Sequence, residues 1–157
     1  MRDPSAHRPG RTPDVESVLL EAQRPAPELS QFFYRLVGGP WYWRDRLSWP
    51  DERWEQWASR PEQHLLSCWV DGVPAGYVDL EQQGTSVEIA YFGLVNEMHG
   101  LGLGGWLLSR GIEKAWSIPG TERVWLHTCS RDGPAALSNY QSRGFEIVDT
   151  VVEMKEE

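Results

Sequence analysis

The sequence predicts a single mixed α/β domain, of the α+β kind, in which helices pack on both faces of one sheet. Three strand-like segments follow one another between residues 63 and 95, and the first two flank Asp71-Gly72, a dipeptide that favours a hairpin turn. From residue 96 onward the pattern alternates between helix and strand. The chain has 157 residues, which is the size of one domain. Consecutive strands followed by such an alternation are typical of a mixed sheet covered by helices.

The composition narrows the class of protein. Fifteen Lys and Arg stand against 23 Asp and Glu, a net charge of -8, and such a surface repels the phosphate backbone of nucleic acids. The two cysteines are too few for a disulfide framework and lack the spacing of metal ligands. No apolar run reaches the roughly 20 residues that span a bilayer. We therefore expect a cytoplasmic monomer or homodimer that binds no nucleic acid, membrane or metal.

The first half of the chain begins with a segment rich in Pro and Arg and poor in apolar residues, which predicts a flexible tail over residues 1–13 and a domain over 14–157. Apolar residues then recur at the spacing of first a strand and later a helix. The elements predicted in order are a strand over 15–20, a helix over 29–37, an aromatic loop at 41–43, and a short helix that carries Trp54 and Trp57.

The second half is predicted from runs of apolar residues separated by glycine and proline breaks. Its elements are strands over 64–70, 74–80 and 87–95, a helix after Gly105 that stops at Pro119-Gly120, a strand over 123–128, a helix over 134–144 and a last strand over 145–154. The order supports the mixed sheet.

The most informative segment is Glu88 to Gly105, in which an apolar strand leads through four glycines into a helix. Glycines allow a close backbone approach, and the first turn of a helix directs free N–H groups and a positive dipole end at one point. This arrangement predicts a site for a phosphate-bearing cofactor. On spacing alone, a plain turn is an equally good interpretation.

Two other phosphate-binding motifs do not fit this segment. The dinucleotide fingerprint requires a strand-helix-strand unit at the start of a parallel sheet, whereas hairpin-like strands precede the glycines here. A Walker loop requires Lys and then Ser or Thr after its last glycine, where this chain has Trp106-Leu107.

HGLGLG (99–104), followed by an apolar helix and later by LSNYQSRGF (137–145), resembles the two signature segments of the GCN5-related N-acetyltransferase (GNAT) superfamily. The family's loop pattern is Q or R, x, x, G, x, G or A. Gly102 and Gly104 match its two small positions, and His99 stands where Gln or Arg is usual. The second segment matches at Ala136, Tyr140, Gly144 and Phe145. The resemblance extends from about Asp71 to the end of the chain.

The resemblance implies a strongly twisted mixed sheet whose fourth and fifth strands splay apart and hold acetyl-CoA as co-substrate. On this chain those strands are 87–95 and 123–128. Backbone groups of the glycine loop would bind the diphosphate, and a backbone N–H near Leu94 would meet the carbonyl oxygen. The residues expected to bind the cofactor are Leu94, His99, Gly100, Leu101, Gly102, Leu103, Gly104, Gly105 and Asn139.

Tyr140 and Glu88 are the residues that the resemblance marks as catalytic. Tyr140 would protonate the departing thiolate, since an ordinary phenol holds its proton at neutral pH, and a ring that only packs on the sheet is the competing interpretation. Glu88 is the candidate base, acting directly or through water, and a solvated strand residue paired with a cation is the competing interpretation. We interpret Cys129 as an inert buried thiol.

The acceptor side is predicted from residues before the hairpins and on the fifth strand. Trp41, Tyr42 and Trp43 lie in the region that forms the acceptor wall in the family, with Arg44, Trp49 and Trp54 close by in the sequence. Aromatic rings favour an ammonium or aromatic group, and the acidic surface favours a cationic small-molecule amine. Ordinary core packing is the competing interpretation of these aromatic residues. His127, expected half-buried, would carry a proton or a water chain, or serve only as a hydrogen-bonded sheet residue.

Two functions therefore remain open from the sequence. The first is an acetyl-CoA-dependent N-acetyltransferase that moves an acetyl group directly to an amine of a small molecule or a peptide. The second is a non-catalytic CoA-binding regulatory or protein-interaction module of the same fold, in which the aromatic loop would be an interface.

Overall fold

The computed structural model describes residues 1–153 and shows a five-stranded sheet with the strand order β1-β2-β3-β4-β5. The first four strands pair antiparallel, and β4 pairs parallel with β5. The strands are β1 (Ser17–Glu21), β2 (Gln63–Val70), β3 (Val73–Gln83), β4 (Ser86–Leu94) and β5 (Arg123–Trp125). The helices are α1 (Pro27–Gly38), α2 (Asp51–Ser59), α3 (Leu103–Ser117) and α4 (Ala136–Ser142). The predicted mixed α/β class is confirmed.

Two groups of buried residues, one on each face of the sheet, form the core. On β3, Val78 faces α3, whose Gly111 approaches so closely that an added Cβ would lie 2.8 Å from Val78 Cγ1. The neighbouring Tyr77 faces α1 and stacks on Phe33 with 5.2 Å between the ring centroids. Because side chains alternate along a strand, β3 and β4 separate α3 from α1 and α2. No helix of the described part is long and apolar enough to cross a membrane.

The segment predicted to be a flexible tail is docked on the domain. The backbones of Met1 and Val124 exchange two hydrogen bonds, 2.8 and 2.9 Å long, along the outer edge of β5. Further on, Arg8 N–H donates to the Arg143 carbonyl, and Gly10 N–H donates to Ser109 Oγ. Residues 1–13 therefore run from β5 across α4 and α3 to the glycine loop.

The predicted last strand is not formed over the described residues 145–153, and Met154 lies outside them. Ile147, Val148, Val151 and Val152 are exposed instead. The physical reason lies at the edge of β5, which is three residues long and already paired with Met1. The fifth strand is likewise shorter than predicted, so His127 follows it rather than belonging to it.

Candidate active site

The central feature of the site is the separation of β4 from β5. The two strands pair only from Ser86–Arg123 to Glu88–Trp125. Two residues beyond Glu88, Ala90 is an extra residue in β4, because Ile89 pairs with Leu80 and Tyr91 with the adjacent Asp79. Such a bulge bends a strand and redirects its side chains. The strand edge of β4 beyond Glu88 is therefore unpaired with β5.

The bulge also distributes the side chains of β4 between the two faces of the sheet. Ile89 and Phe92 pack on the α3 face, whereas Tyr91 packs on the α1 face. Glu88 stands between Val87 and Ile89, both buried on the α3 face, so it points to the α1 face. The α3 face of β4 thus carries the apolar Ile89 and Phe92, whereas the α1 face carries the polar groups of Glu88 and Tyr91.

The glycine loop lies where β4 leads into α3. Gly100 has φ 84° and Gly102 has φ 76°, values that L side chains rarely adopt. Gly102 is the N-cap of α3 and supplies no side-chain cap, so the first N–H groups of the helix remain free for another acceptor. The loop therefore has the backbone geometry of an anion site.

Residues of α4 lie beside this loop. Asn139 Nδ2 is 3.6 Å from the position of a Cβ added to Gly104, and its Oδ1 is 3.6 Å from that of Gly105. The next residue, Tyr140, is buried, and its ring meets that of Phe92 edge to face at 6.2 Å. Burial raises the pKa of Tyr140 well above its ordinary value, so the hydroxyl keeps its proton at neutral pH.

The Glu88 carboxylate holds two partners. His127 Nδ1 lies 3.1 Å from Glu88 Oε1, and Gln83 Nε2 donates to Oε2 at 2.8 Å. The hydrogen bond to Glu88 is the main cause that raises the pKa of His127, and burial opposes it. His127 was expected to be half-buried on β5, but it is exposed beyond the end of that strand. The pair still brings together two of the predicted residues.

Asp45 is a polar residue of this face that the sequence analysis missed. Its carboxylate accepts hydrogen bonds from the hydroxyls of Tyr34, at 2.7 Å, and Tyr91. Burial alone would raise the pKa of Asp45, but the hydrogen bonds from the two phenols, a backbone hydrogen bond and the charge of Arg46 together outweigh it, and the pKa is lowered. In the sequence, Asp45 is only a carboxylate that follows the aromatic loop, and nothing local indicates that the bulge in β4 turns Tyr91 toward it.

The next residue, Arg46, is a buried cation that packs between α2 and the sheet. Arg46 Cζ lies over the rings of Trp57 at 4.0 Å, Trp49 at 4.4 Å and Tyr91 at 4.5 Å. Its Nη1 is 3.8 Å from the buried Asp79 carboxylate, which also accepts from Trp57 Nε1. Trp49 therefore packs on Arg46, and Trp54 is likewise a core residue, 2% exposed.

The three residues of the aromatic loop occupy different places. Trp43 packs into the core, so closely against Gly38 that an added Cβ there would lie 2.2 Å from its ring. Tyr42 is exposed, with φ 59°. Trp41 lies between His99, at 6.4 Å between rings, and Gly133, whose added Cβ would be 3.3 Å from the indole. Trp41 thus bridges the loops on either side of the opened strands.

Cys129 was expected to be buried, and this is wrong. The thiol is exposed, in the loop that follows β5, where Cys129 N–H donates to Asp132 Oδ2 at 3.1 Å. The early end of β5 explains the difference, because the chain leaves the sheet four residues before Cys129. Asp132 also accepts a hydrogen bond from the Thr128 hydroxyl.

The site thus combines a parallel strand pair that opens after three paired positions with a helix terminus that has no side-chain cap. The sequence profile described as "Acetyltransferase (GNAT) family" matches residues 30–145, and the chain belongs to this family. A search of curated proteins finds no significant match.

Solved structures share the fold. An aminoglycoside acetyltransferase, meta-AAC0020, from an uncultured soil metagenomic sample superposes with a TM-score of 0.71 at 14% identity over 90% of this chain and 95% of that one. Aminoglycoside N-acetyltransferase AAC(6')-Iy in complex with CoA gives 0.64 at 13% over 90% and 95%. The GNAT family protein SP0256 from Streptococcus pneumoniae TIGR4 gives 0.64 at 17% over 90% and 100%.

Membership of the family supports acetyl transfer as the general activity. Acetyl-CoA is the cofactor that the family generally uses. The described residues fit such a ligand in two respects: the α3 terminus has no side-chain cap at Gly102, and the β4 edge is unpaired with β5 beyond Glu88. A diphosphate suits the first feature and an extended amide chain suits the second.

Proposed function

We propose that this protein transfers an acetyl group from acetyl-CoA directly to an amine of a cationic small molecule, within a ternary complex. The observation that carries the proposal is the position of Tyr140. It is the buried phenol of α4, it contacts Phe92 on the part of β4 that β5 has left, and its neighbour Asn139 contacts the glycine loop.

Each residue has a defined part in the proposed reaction. The amine nitrogen forms a bond to the thioester carbonyl carbon as the carbon–sulfur bond breaks. The Leu94 backbone N–H would stabilise the carbonyl oxygen, and the free N–H groups of residues 100–105 would bind the diphosphate. Tyr140 would protonate the thiolate, because its raised pKa keeps the hydroxyl protonated until then.

The proton lost by the amine is assigned to the opposite face of the sheet. Glu88 and His127 form a hydrogen-bonded pair there, so the proton can pass to the pair directly or through water. Coenzyme and acceptor would thus approach β4 from its α3 and α1 faces, respectively. This division supports direct transfer, since both reactants reach the gap without an intermediate carrier on the protein.

The acceptor class follows from the charges on the α1 face. Asp45 has a lowered pKa, to which the hydrogen bonds from two phenols contribute. Glu88 carries its carboxylate nearby on β4, and Trp41 offers an aromatic surface at the same opening. Carboxylates and an indole favour an ammonium group over an acid. A small molecule with more than one amino group fits this surface, because one amine can bind while another reacts.

The test is turnover with a panel of acceptors. The protein is incubated with acetyl-CoA and with di- and polyamines, arylalkylamines, amino acids or lysine-containing peptides, and release of free thiol is followed. We expect the highest kcat/KM for the di- and polyamines and the lowest for the acidic amino acids. Binding of CoA without thiol release across the whole panel would contradict the proposal and favour a CoA-binding module.

A further inference from the structure

Arg143 lies beside the glycine loop although it belongs to another element. It is the first residue after α4, and its side chain reaches back to the first turn of α3. Its Nη1 atom is 2.5 Å from the position of a Cβ added to Gly105, so a side chain at that position would displace the guanidinium. The same Nη1 is 2.5 Å from the corresponding position on Gly10.

This guanidinium has no anionic partner among residues 1–153. Its Nε is buried and forms no hydrogen bond, and no described carboxylate lies within salt-bridge distance of it. The nearby Arg110 also has a buried Nε without a partner, although its Nη2 pairs with Glu113 at 2.6 Å. Buried donors without acceptors are costly, so Arg143 is incompletely satisfied in this state.

The position is also unfavourable for a cation on its own. The first turn of α3 carries free N–H groups and the positive end of the helix dipole, and a positive charge beside it is repelled. Arg143 nonetheless lies at this turn, although the chain carries a net charge of -8. An anion between the guanidinium and the N–H groups would satisfy both.

We propose that Arg143 binds a phosphate group of the coenzyme against the first turn of α3. The inference rests on the proposed function and extends it, because it adds a charged side chain to a site so far built from backbone donors. A guanidinium suits this role, since its planar set of N–H groups matches phosphate oxygens in pairs. The glycine loop has a histidine of its own, His99, but its side chain is exposed and lies beside Trp41.

The N-terminal segment lies over this position in the structure. Gly10 N–H donates to Ser109 Oγ at 2.8 Å, and Arg8 Nη2 donates to the Gln141 carbonyl at 3.0 Å. Gly10 therefore covers the Arg143 guanidinium, and a phosphate that binds there takes its place. These contacts, together with the hydrogen bond from Arg8 N–H to the Arg143 carbonyl, have neutral acceptors, whereas a phosphate offers the Arg143 guanidinium an anionic acceptor in exchange.

The experiment compares Arg143→Gln with Arg24→Gln, which removes an exposed arginine that has no hydrogen bond or ion pair among the described residues. Dissociation constants are measured by calorimetry for CoA, for dephospho-CoA, which lacks the 3′-phosphate, and for pantetheine, which lacks every phosphate. We expect Arg143→Gln to weaken CoA binding about ten- to hundredfold and to leave pantetheine binding within about threefold. Arg24→Gln should match the wild type.

The pattern across the ligands identifies the phosphate that is bound. Equal losses for CoA and dephospho-CoA assign Arg143 to the diphosphate, and a loss for CoA alone assigns it to the 3′-phosphate. CoA binding by Arg143→Gln within about twofold of the wild type overturns the inference. If Gly102→Val still weakens CoA binding in that case, the proposed function stands. Failure of the wild type to bind CoA overturns both.

A second measurement does not depend on a variant that folds. In the wild-type protein, the Arg143 Nε–H signal is followed by nuclear magnetic resonance while each ligand is added. We expect the signal to shift with CoA and to stay in place with pantetheine. A signal that does not move with saturating CoA, or that moves equally with pantetheine, overturns the assignment to a phosphate.

Discussion

His127 and Glu88 are hydrogen-bonded across the point at which β4 and β5 separate, with 3.1 Å between Nδ1 and Oε1. This hydrogen bond joins β4 to the loop that follows β5, so it lies across the opening between the two strands on the α1 face. Any amine that enters from this face meets the pair.

Glu88→Gln should lower the pKa of His127 toward its ordinary value of 6.5, because the hydrogen bond to the carboxylate is the main cause of the raised pKa. A folded-state pKa above the unfolded one means that the pair stabilises the fold fully below pH 6.5 and loses this effect as pH rises through the folded pKa. Imidazole proton titration by nuclear magnetic resonance measures the change. Glu81→Gln, which alters the residue paired with Glu88 on β3, is the control.

Tyr140→Phe should lower kcat about 100-fold and change the CoA dissociation constant little, because it removes the proton source and keeps the buried ring. Steady-state kinetics and calorimetry separate the two effects. Tyr42→Phe, at an exposed tyrosine of the aromatic loop, should leave CoA binding unchanged. Full turnover by Tyr140→Phe would remove Tyr140 from the mechanism.

Gly102→Val should weaken CoA binding and cost about 1–3 kcal/mol of stability, since a β-branched residue is strained at φ 76°. Gly120→Val is the matched control, because Gly120 has φ 83° in a turn after α3, with nothing within 4 Å of an added Cβ. Both variants should lose similar stability, whereas only Gly102→Val should lose CoA affinity. Equal CoA affinities in the two variants would contradict the proposal that the glycine loop binds CoA.

Gly10→Val should release the N-terminal segment, because the new Cβ would lie 2.4 Å from the Gly105 carbonyl carbon. Once the segment no longer covers Arg143, CoA should bind severalfold more tightly. Trypsin should also cleave faster after Arg11. Gly39→Val, with nothing within 4 Å of its added Cβ, is the control, and unchanged cleavage and affinity in Gly10→Val would refute the covering role.

Asp79→Asn should flatten the pH dependence of stability between pH 4 and 6. Burial raises the pKa of Asp79 from 3.8 to about 6 and outweighs the opposing charge of Arg46. In that window the folded state holds a proton that the unfolded state has released, so the free energy of unfolding falls as pH rises. Urea denaturation from pH 4 to 7 tests this, with the exposed Asp71→Asn as control; an equally steep profile in Asp79→Asn would contradict it.

The glycine loop could be predicted because its conformation depends on local residues. Gly100 and Gly102 adopt positive φ values, which glycine accommodates without strain, and α3 begins at Leu103, slightly before the predicted start after Gly105. The contact of Asn139 with this loop depends on where α4 packs, and only the family resemblance pointed to it.

Other features depend on contacts that local patterns do not contain. The bulge at Ala90 leaves no mark in an alternation of apolar residues, so the contact of Tyr91 with Asp45 could not be predicted. The prediction of the last strand failed for a similar reason. Its β-branched residues favour a strand, but the edge of β5 is paired with Met1 instead. In the sequence, Arg143 falls at the end of a predicted helix, and no local pattern shows that its side chain lies beside Gly105.

A crystal structure of the protein with acetyl-CoA would show directly whether the coenzyme lies in the gap between β4 and β5. We expect the diphosphate within hydrogen-bond distance of the N–H groups of residues 100–105 and the thioester between β4 and the segment after β5, close to the Tyr140 hydroxyl. A coenzyme bound at another surface, or with its thioester away from Tyr140, would contradict it.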